Sequence, residues 1–291
     1  MAEASPRNIL LTLQYDGTGF SGWQYQPGKR TVQGELVQTI EGIVGHSVEA
    51  WASSRTDAGV HARAMPVSFE TTKAIPEHGL LRGLNARLPH DISVTAIGAL
   101  PLGVRPRDVA LAKTYLYRVQ LGPRRALASR FAWCPKQPRC DLDAMRQASA
   151  HFLGEHDFAA FRSVHCDAKS TRRTIHAVTL EIDADDLVTI SITGNAFLRN
   201  MVRIMAGSLI SVGLGRRPPE WISTLLATLR RDDAAQTAPA LGLTLHTVHF
   251  DGYPRIGKRA LEVTGRGPTE DDSAPASAVE SVVDDDGLAG G

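Results

Sequence analysis

The run Ser54-Arg55-Thr56-Asp57-Ala58-Gly59-Val60-His61-Ala62 places an acid, basic groups and a glycine close together between two strand-like stretches, Val48 to Ala52 and a second around Val67, Phe69, Thr71 and Thr72. A polar loop held rigidly at a sheet end is where catalytic groups often lie. Arg55 suits a planar or phosphorylated partner. Gly59 lets the backbone turn sharply or a ligand come close. The plain alternative is a tight turn, in which an aspartate before Ala-Gly accepts a local backbone N–H. Two further side chains could serve such a site. Tyr115 lies in Lys113-Thr114-Tyr115-Leu116-Tyr117-Arg118-Val119, whose alternation reads as a strand with Tyr115 and Tyr117 on one face. Arg203 sits in a mostly apolar helical stretch, where the plain reading is an arginine that snorkels to the surface.

The elements that must position these groups are legible in part. Ile9 to Tyr15 reads as a strand. Gly17-x-Gly19-x-x-Gly22 follows it and matches a dinucleotide fingerprint, but Trp23-Gln24-Tyr25-Gln26-Pro27-Gly28 is no helix start, so phosphate would meet no helix N-terminus. Thr31 caps a helix to about Val44, with Leu36, Val37, Ile40, Ile43 and Val44 on its apolar face and Gly45 as its stop. A helix is predicted from Pro76 to Leu88, where Asn85 is either a helix-end cap or a support for the site. A strand follows over 92–99. Asp141 starts a helix that Gly154 stops. Adjacent His156 and Asp157 diverge and read as structural. Asp183-Ala184-Asp185-Asp186 joins strands at 174–182 and 187–193. Helices are predicted from Ala196 to Val212 and from Pro218 through Leu229, then a closing strand near Leu243 to Val248.

Apolar content of 43% and charged content of 22% are those of a globular protein. The formal charge of +1 hides an asymmetry: Pro268 to Gly291 carries Glu270, Asp271, Asp272, Glu280, Asp284, Asp285 and Asp286 and no Lys or Arg. Setting those seven acids aside leaves 32 basic residues against 24 acidic ones, and a body of about +8 suits a polyanionic partner. The tail itself is predicted disordered. Cys134, Cys140 and Cys166 form no C-x-x-C pair and read as free thiols, not zinc ligands. The first residues lack the apolar run of a signal peptide, and Met201 to Leu214 is too short to span a bilayer, so no membrane association and a cytoplasmic location are expected.

Several motifs, in order, resemble the tRNA pseudouridine synthase A family. They are Tyr15-Asp16-Gly17-Thr18, Gly22-Trp23-Gln24, Thr31-Val32-Gln33, Arg55-Thr56-Asp57-Ala58-Gly59-Val60-His61, Leu84-Asn85, Asp91-Ile92-Ser93-Val94, Gly154-x-His156-Asp157-Phe158 and Phe197-Leu198 with Met201-Val202-Arg203. The resemblance covers roughly residues 8 to 252. Two positions depart from it: Ser54 stands where the family usually has glycine, and Asp108 where an aromatic usually follows Arg107.

The resemblance implies an α/β (α+β) fold of two ferredoxin-like halves, 8–106 and 107–253, whose antiparallel sheets join around a central basic cleft, followed by an acidic tail, 254–291. It implies isomerisation of uridine to pseudouridine in the anticodon stem-loop of tRNA, by a homodimer that needs no cofactor and no metal. Asp57 would be the nucleophile, by covalent attack or by a glycal route. Arg203 would pair with it, and Tyr115 would stack on the target base. Arg55, Arg63 and Arg107 would bind substrate, with Arg124, Arg125, Arg172 and Arg173 as further basic candidates. Two other classes stay open: an RNA-binding module without catalysis, and a glycosidase-like hydrolase, which would need a second carboxylate.

Overall fold

Strand β1 (Arg7–Tyr15) buries Ile9, Leu11, Leu13 and Tyr15 and leaves Gln14 in solvent, the period of two that a half-covered strand requires. In this computed structural model, which describes residues 5–122, 126, 128–136, 140–164, 166 and 168–251, β1 is the second strand of a nine-stranded sheet. Arg124, Arg125, Arg139 and the acidic tail lie outside the described residues.

Helix α1 (Val32–Val44) begins where Thr31 Oγ1 accepts the Gly34 N–H at 3.2 Å and ends at Gly45, whose φ of 79° is the left-handed stop read from the sequence. It buries Val32, Leu36, Ile40 and Val44, while Val37 and Ile43 pack at the edge of the core. The strand expected over 48–52 shrinks to β2 (Trp51–Ala52), and its partner β3 (His61–Thr71) is longer than expected. Helix α2 (Glu77–Arg87) leads to β4 (Ile92–Leu100). Asn85 neither caps α2 nor reaches the site. Its Nδ2 donates to Val94 O at 2.8 Å and its Oδ1 accepts Val94 N–H at 2.7 Å, which clamps the helix to β4. These elements run βαββαβ, and their strands lie in the order β4-β1-β3-β2.

A short helix α3 (Pro106–Val109) crosses to β5 (Ala112–Gln120). Helix α4 (Leu142–Ala150) is capped by Asp141, whose carboxylate accepts Ala144 N–H at 2.9 Å. Strands β6 (Gly154–Asp157), β7 (Arg172–Ile182) and β8 (Leu187–Gly194) follow, then α5 (Met201–Gly213), α6 (Trp221–Thr228) and β9 (Leu243–His249). Setting β6 aside as an added edge, the order β9-β5-β8-β7 repeats that of the first half. No repeat is visible in the residues; the repeat is one of topology. Helix α5 starts five residues later than the periodicity predicts. Asn200 holds φ 62°, outside helical space, and the Asn195 carboxamide oxygen accepts the N–H groups of Thr174 and Ala196, so the chain turns before it winds.

The halves meet along one edge. The far part of β3 pairs with β2 at Trp51↔Ser68 and Ala52↔Val67, and its first residues pair in parallel with β9 at His61↔Thr244 and Ala62↔Leu245. The loop that carries Asp57 therefore ends at the joint. No helix among the described residues is long and apolar enough to cross a membrane.

Candidate active site

The Asp57 loop is seated by the chain segment between β1 and α1. Trp23 N–H donates to Thr56 O at 3.0 Å, Gly59 N–H to Phe20 O at 3.3 Å, and the Tyr15 phenol pairs with Thr56 Oγ1 at 2.8 Å. A turn closed by Val60 N–H on Asp57 O at 3.1 Å, with Gly59 at φ 77°, lifts the aspartate out of the sheet. Gly17 and Gly22 lie flush against this loop, where added Cβ atoms would stand 2.0 Å from Val60 O and 2.8 Å from Thr56 O. Their role is close packing. Gly17–Gly19 forms a single 3-10 turn and the next helix begins only at Val32, so the dinucleotide fingerprint is excluded by geometry as it was by sequence.

Asp57 is partly open to solvent, 31% exposed at its side chain. Arg199 Nε lies 3.7 Å from its Oδ1 and Arg203 Nη1 4.0 Å from its Oδ2. The two arginines differ in how they are held. Arg203 is 17% exposed, donates from Nε to Ala238 O at 2.7 Å and from Nη1 to Asn200 Oδ1 at 2.9 Å, and so faces the aspartate from a fixed place. Arg199 is 56% exposed, where solvent screens its charge. The spacing of four between Arg199 and Arg203 was the signal available for it, but residue 199 precedes the helix, so no face of α5 carries the pair.

Tyr115 is buried near the start of β5, edge-on to Phe197 with ring centroids 5.2 Å apart. Burial pushes its phenol up to about 12, the Ser54 hydroxyl working against this and the Asp57 charge adding to it. The phenol is therefore protonated at neutral pH and offers a ring and an O–H donor. Tyr117, on the same face, is fully buried and donates to Pro239 O at 2.9 Å, a packing role. Arg55 is exposed on the loop beside Asp57, and Arg107 is exposed on α3. Arg63 is placed elsewhere: it stands with Arg118 near His246, whose imidazole burial and these two guanidiniums hold toward neutrality. Arg118 lies on the face of β5 opposite Tyr115. Arg172 pairs with Glu155 at 3.2 Å, whereas Arg173 is half-buried. His156 and Asp157 are structural, bonding Leu153 O and Ala159 N–H.

His61 faces away from Asp57. Gly17 N–H donates to its Nδ1 at 3.0 Å, which leaves Nε2 to donate to Leu241 O at 3.1 Å and tie β3 to the segment before β9. Asp16 Oδ1 stands 3.1 Å from the same Nδ1, and Arg130 holds the other carboxylate oxygen at 2.7 Å. Burial pushes His61 down, outweighing Asp16 and Leu241. Burial would raise Asp16, but Thr18 and Arg130 together hold it at about 2. Both shifts make the folded state bind fewer protons than the unfolded one, so stability falls as pH falls. The His61 contribution is lost below its ordinary 6.5, and the Asp16 contribution on going from about 4 to about 2. Asp16→Asn is expected to cost about 2 kcal/mol at pH 7 by urea unfolding, a gap that narrows below about pH 4. A gap that stays constant with pH would show that charge is not its source.

A sequence profile described as tRNA pseudouridine synthase matches residues 148–251. Relatives named tRNA pseudouridine synthase A include those of Pelobacter propionicus, 43% identical over 84% of this chain and 100% of that one. Those of Geobacter sulfurreducens and Myxococcus xanthus are 42% and 40% identical, each over 84% of this chain and over 100% and 93% of their own lengths. Among solved structures, the archaeal box H/ACA sRNP Nop10-Cbf5 complex covers 69% of this chain and 43% of the matched one at 13% identity and a TM-score of 0.34, too slight a likeness to build on. With near-complete coverage of relatives at this identity, the chain belongs to the tRNA pseudouridine synthase A family.

Proposed function

We propose that the chain isomerises uridine to pseudouridine in the anticodon stem-loop of tRNA, with Asp57 as the reacting carboxylate. The observation that carries this reading is Asp57 itself, presented on a rigid loop at the joint of the two halves, between two arginines and a protonated tyrosine. The reaction breaks the bond between C1′ and N1, rotates the base, joins C1′ to C5, releases the C5 proton and adds one proton to N1. Atoms and electrons balance without an oxidant or a water. Asp57 either adds to the sugar or base or takes a sugar proton on a glycal route. Tyr115 supplies a ring for the base and an O–H donor. A uridine inside the stem must be extruded first, at a cost of a few kcal/mol that stacking and backbone contacts offset. Arg55 and Arg107, both exposed, would meet that backbone, and Arg63 would meet RNA on the other face. We place the enzyme in the cytoplasm as a homodimer, which sedimentation at twice the chain's mass would support.

The test uses unmodified tRNA tritiated at C5 of uridine. The native chain should release label to water as pseudouridine forms. Free uracil in place of pseudouridine would mean a hydrolase, and binding without either product would mean an RNA-binding module.

Arg203 and Arg199 should separate in the same assay at saturating tRNA. Arg203→Ala removes a fixed, mostly buried cation and should slow label release roughly thirtyfold or more, about 2 kcal/mol. Arg199→Ala removes a screened one and should cost under about tenfold. The reverse order would make the closer, more exposed arginine the partner that matters.

A further inference from the structure

Three cations outside the Asp57 pair converge beside its loop. Lys113 lies opposite Gly194 in β8, and Gly194 lies opposite Ile175 in β7. Arg173, two residues before Ile175, shares its face, as Tyr115 shares that of Lys113. Two strand spacings, about 10 Å, separate β5 from β7, a gap that a lysine and an arginine side chain close from both sides. Arg107 approaches from α3, and its charge acts on both. Lys113 Nζ donates one hydrogen bond, to Ser53 O at 2.8 Å, and an ammonium has two more to give. Arg173 gives Nη1 to Ser170 O and Arg172 O, while its Nε is buried with no acceptor. Among the described residues no carboxylate pairs with any of the three. The cluster is costly when empty: burial, Arg107 and Arg173 push the Lys113 ammonium down to about 8. An anion would relieve that repulsion and accept from the remaining Lys113 donors.

We propose that Lys113, Arg173 and Arg107 form a receptor for one phosphodiester of the RNA, adjoining the catalytic loop through Ser53. This rests on the tRNA reading above. A phosphodiester fits because it brings a single charge on two free oxygens, and because Ser53 is four residues from Asp57, so the receptor fixes backbone close to the extruded nucleotide. Its occupancy sets how that nucleotide is presented and reads no base.

The test is a charge-neutralisation cycle with the full chain. Anticodon stem-loop RNAs each carry one methylphosphonate, moved along the strand. With the native protein, one position should weaken binding roughly three- to tenfold beyond the others' effect. Lys113→Met should weaken binding of the parent RNA by a similar factor, reduce the slope of log K against log salt by about 1, and lose its sensitivity at that position alone. Equal sensitivity of the native and Lys113→Met proteins at every position overturns the proposal. If circular dichroism shows that Lys113→Met does not fold, Arg107→Gln at an exposed site takes its place in the cycle with the same two outcomes. Label release by the native chain reports on the isomerase reading separately, so a failed cycle with label release intact condemns only the receptor.

Discussion

Asp57→Asn is expected to bind tRNA at least as tightly as the native chain and to release no tritium from C5. The loss should be roughly 10⁴-fold or more in single-turnover rate, the scale on which removal of a reacting group acts. Binding should survive because the loop does not depend on the carboxylate. Its seat is made by Thr56 O, Asp57 O, Gly59 N–H and the Thr56 hydroxyl, and asparagine has nearly the same shape as aspartate. Affinity should hold or rise because Arg199 and Arg203 lose the anion they now face and are left to a polyanionic ligand. Gel-shift and single-turnover measurements on one preparation separate the two effects. A residual rate above about 1% of native would remove Asp57 from bond-making and leave it an electrostatic role.

What the residues disclosed before the structure divides along a physical line. Features set by neighbours in sequence were legible. Thr31 and Gly45 bound α1 because a cap needs only its own next turn, and Asp141 starts α4 for the same reason. Asp183 closes the β7–β8 hairpin by accepting the N–H groups of Asp185 and Leu187. Features set by distant partners were not. The two-residue β2 depends on β3 sharing one edge between β2 and β9. The late start of α5 depends on Asn195 bonding Thr174, 21 positions away. Asn85, read as either a cap or a support for the site, proved to be a clamp, because Val94 is the acceptor and donor it meets. At the site, the family motif singled out Asp57, Tyr115 and Arg203, and only coordinates could add Arg199 or show His61 facing Gly17 and Leu241. Lys113 read as one more alternating strand residue until the register set it in line with Gly194 and Ile175, two residues from Arg173 on the same face.

Gly17→Ala should be among the most damaging single-methyl changes in the chain, costing about 3 kcal/mol or more in urea unfolding. The backbone at Gly17 is not in the left-handed region, so alanine suffers no torsional penalty there. The cost is steric. The new Cβ would stand 2.0 Å from Val60 O and 2.5 Å from Val60 C, and these are backbone atoms with no rotamer to escape into. Relief requires the β1–α1 segment to part from Val60, which also strains the Gly17 N–H bond to His61 Nδ1 at 3.0 Å. Val60 N–H closes the turn that aims Asp57, so the displacement reaches the carboxylate. A shift of about 1 Å at a reacting group costs on the order of 10²-fold in rate. Gly17→Ala that still folds should therefore lose label release at saturating tRNA by about that factor. Gly28→Ala is the control: φ is 72° with nothing within 4 Å, so it should cost about 1 kcal/mol from backbone strain alone and leave the rate intact. If both variants unfold alike and both keep their rate, close packing of Gly17 on Val60 is not what holds Asp57 in place.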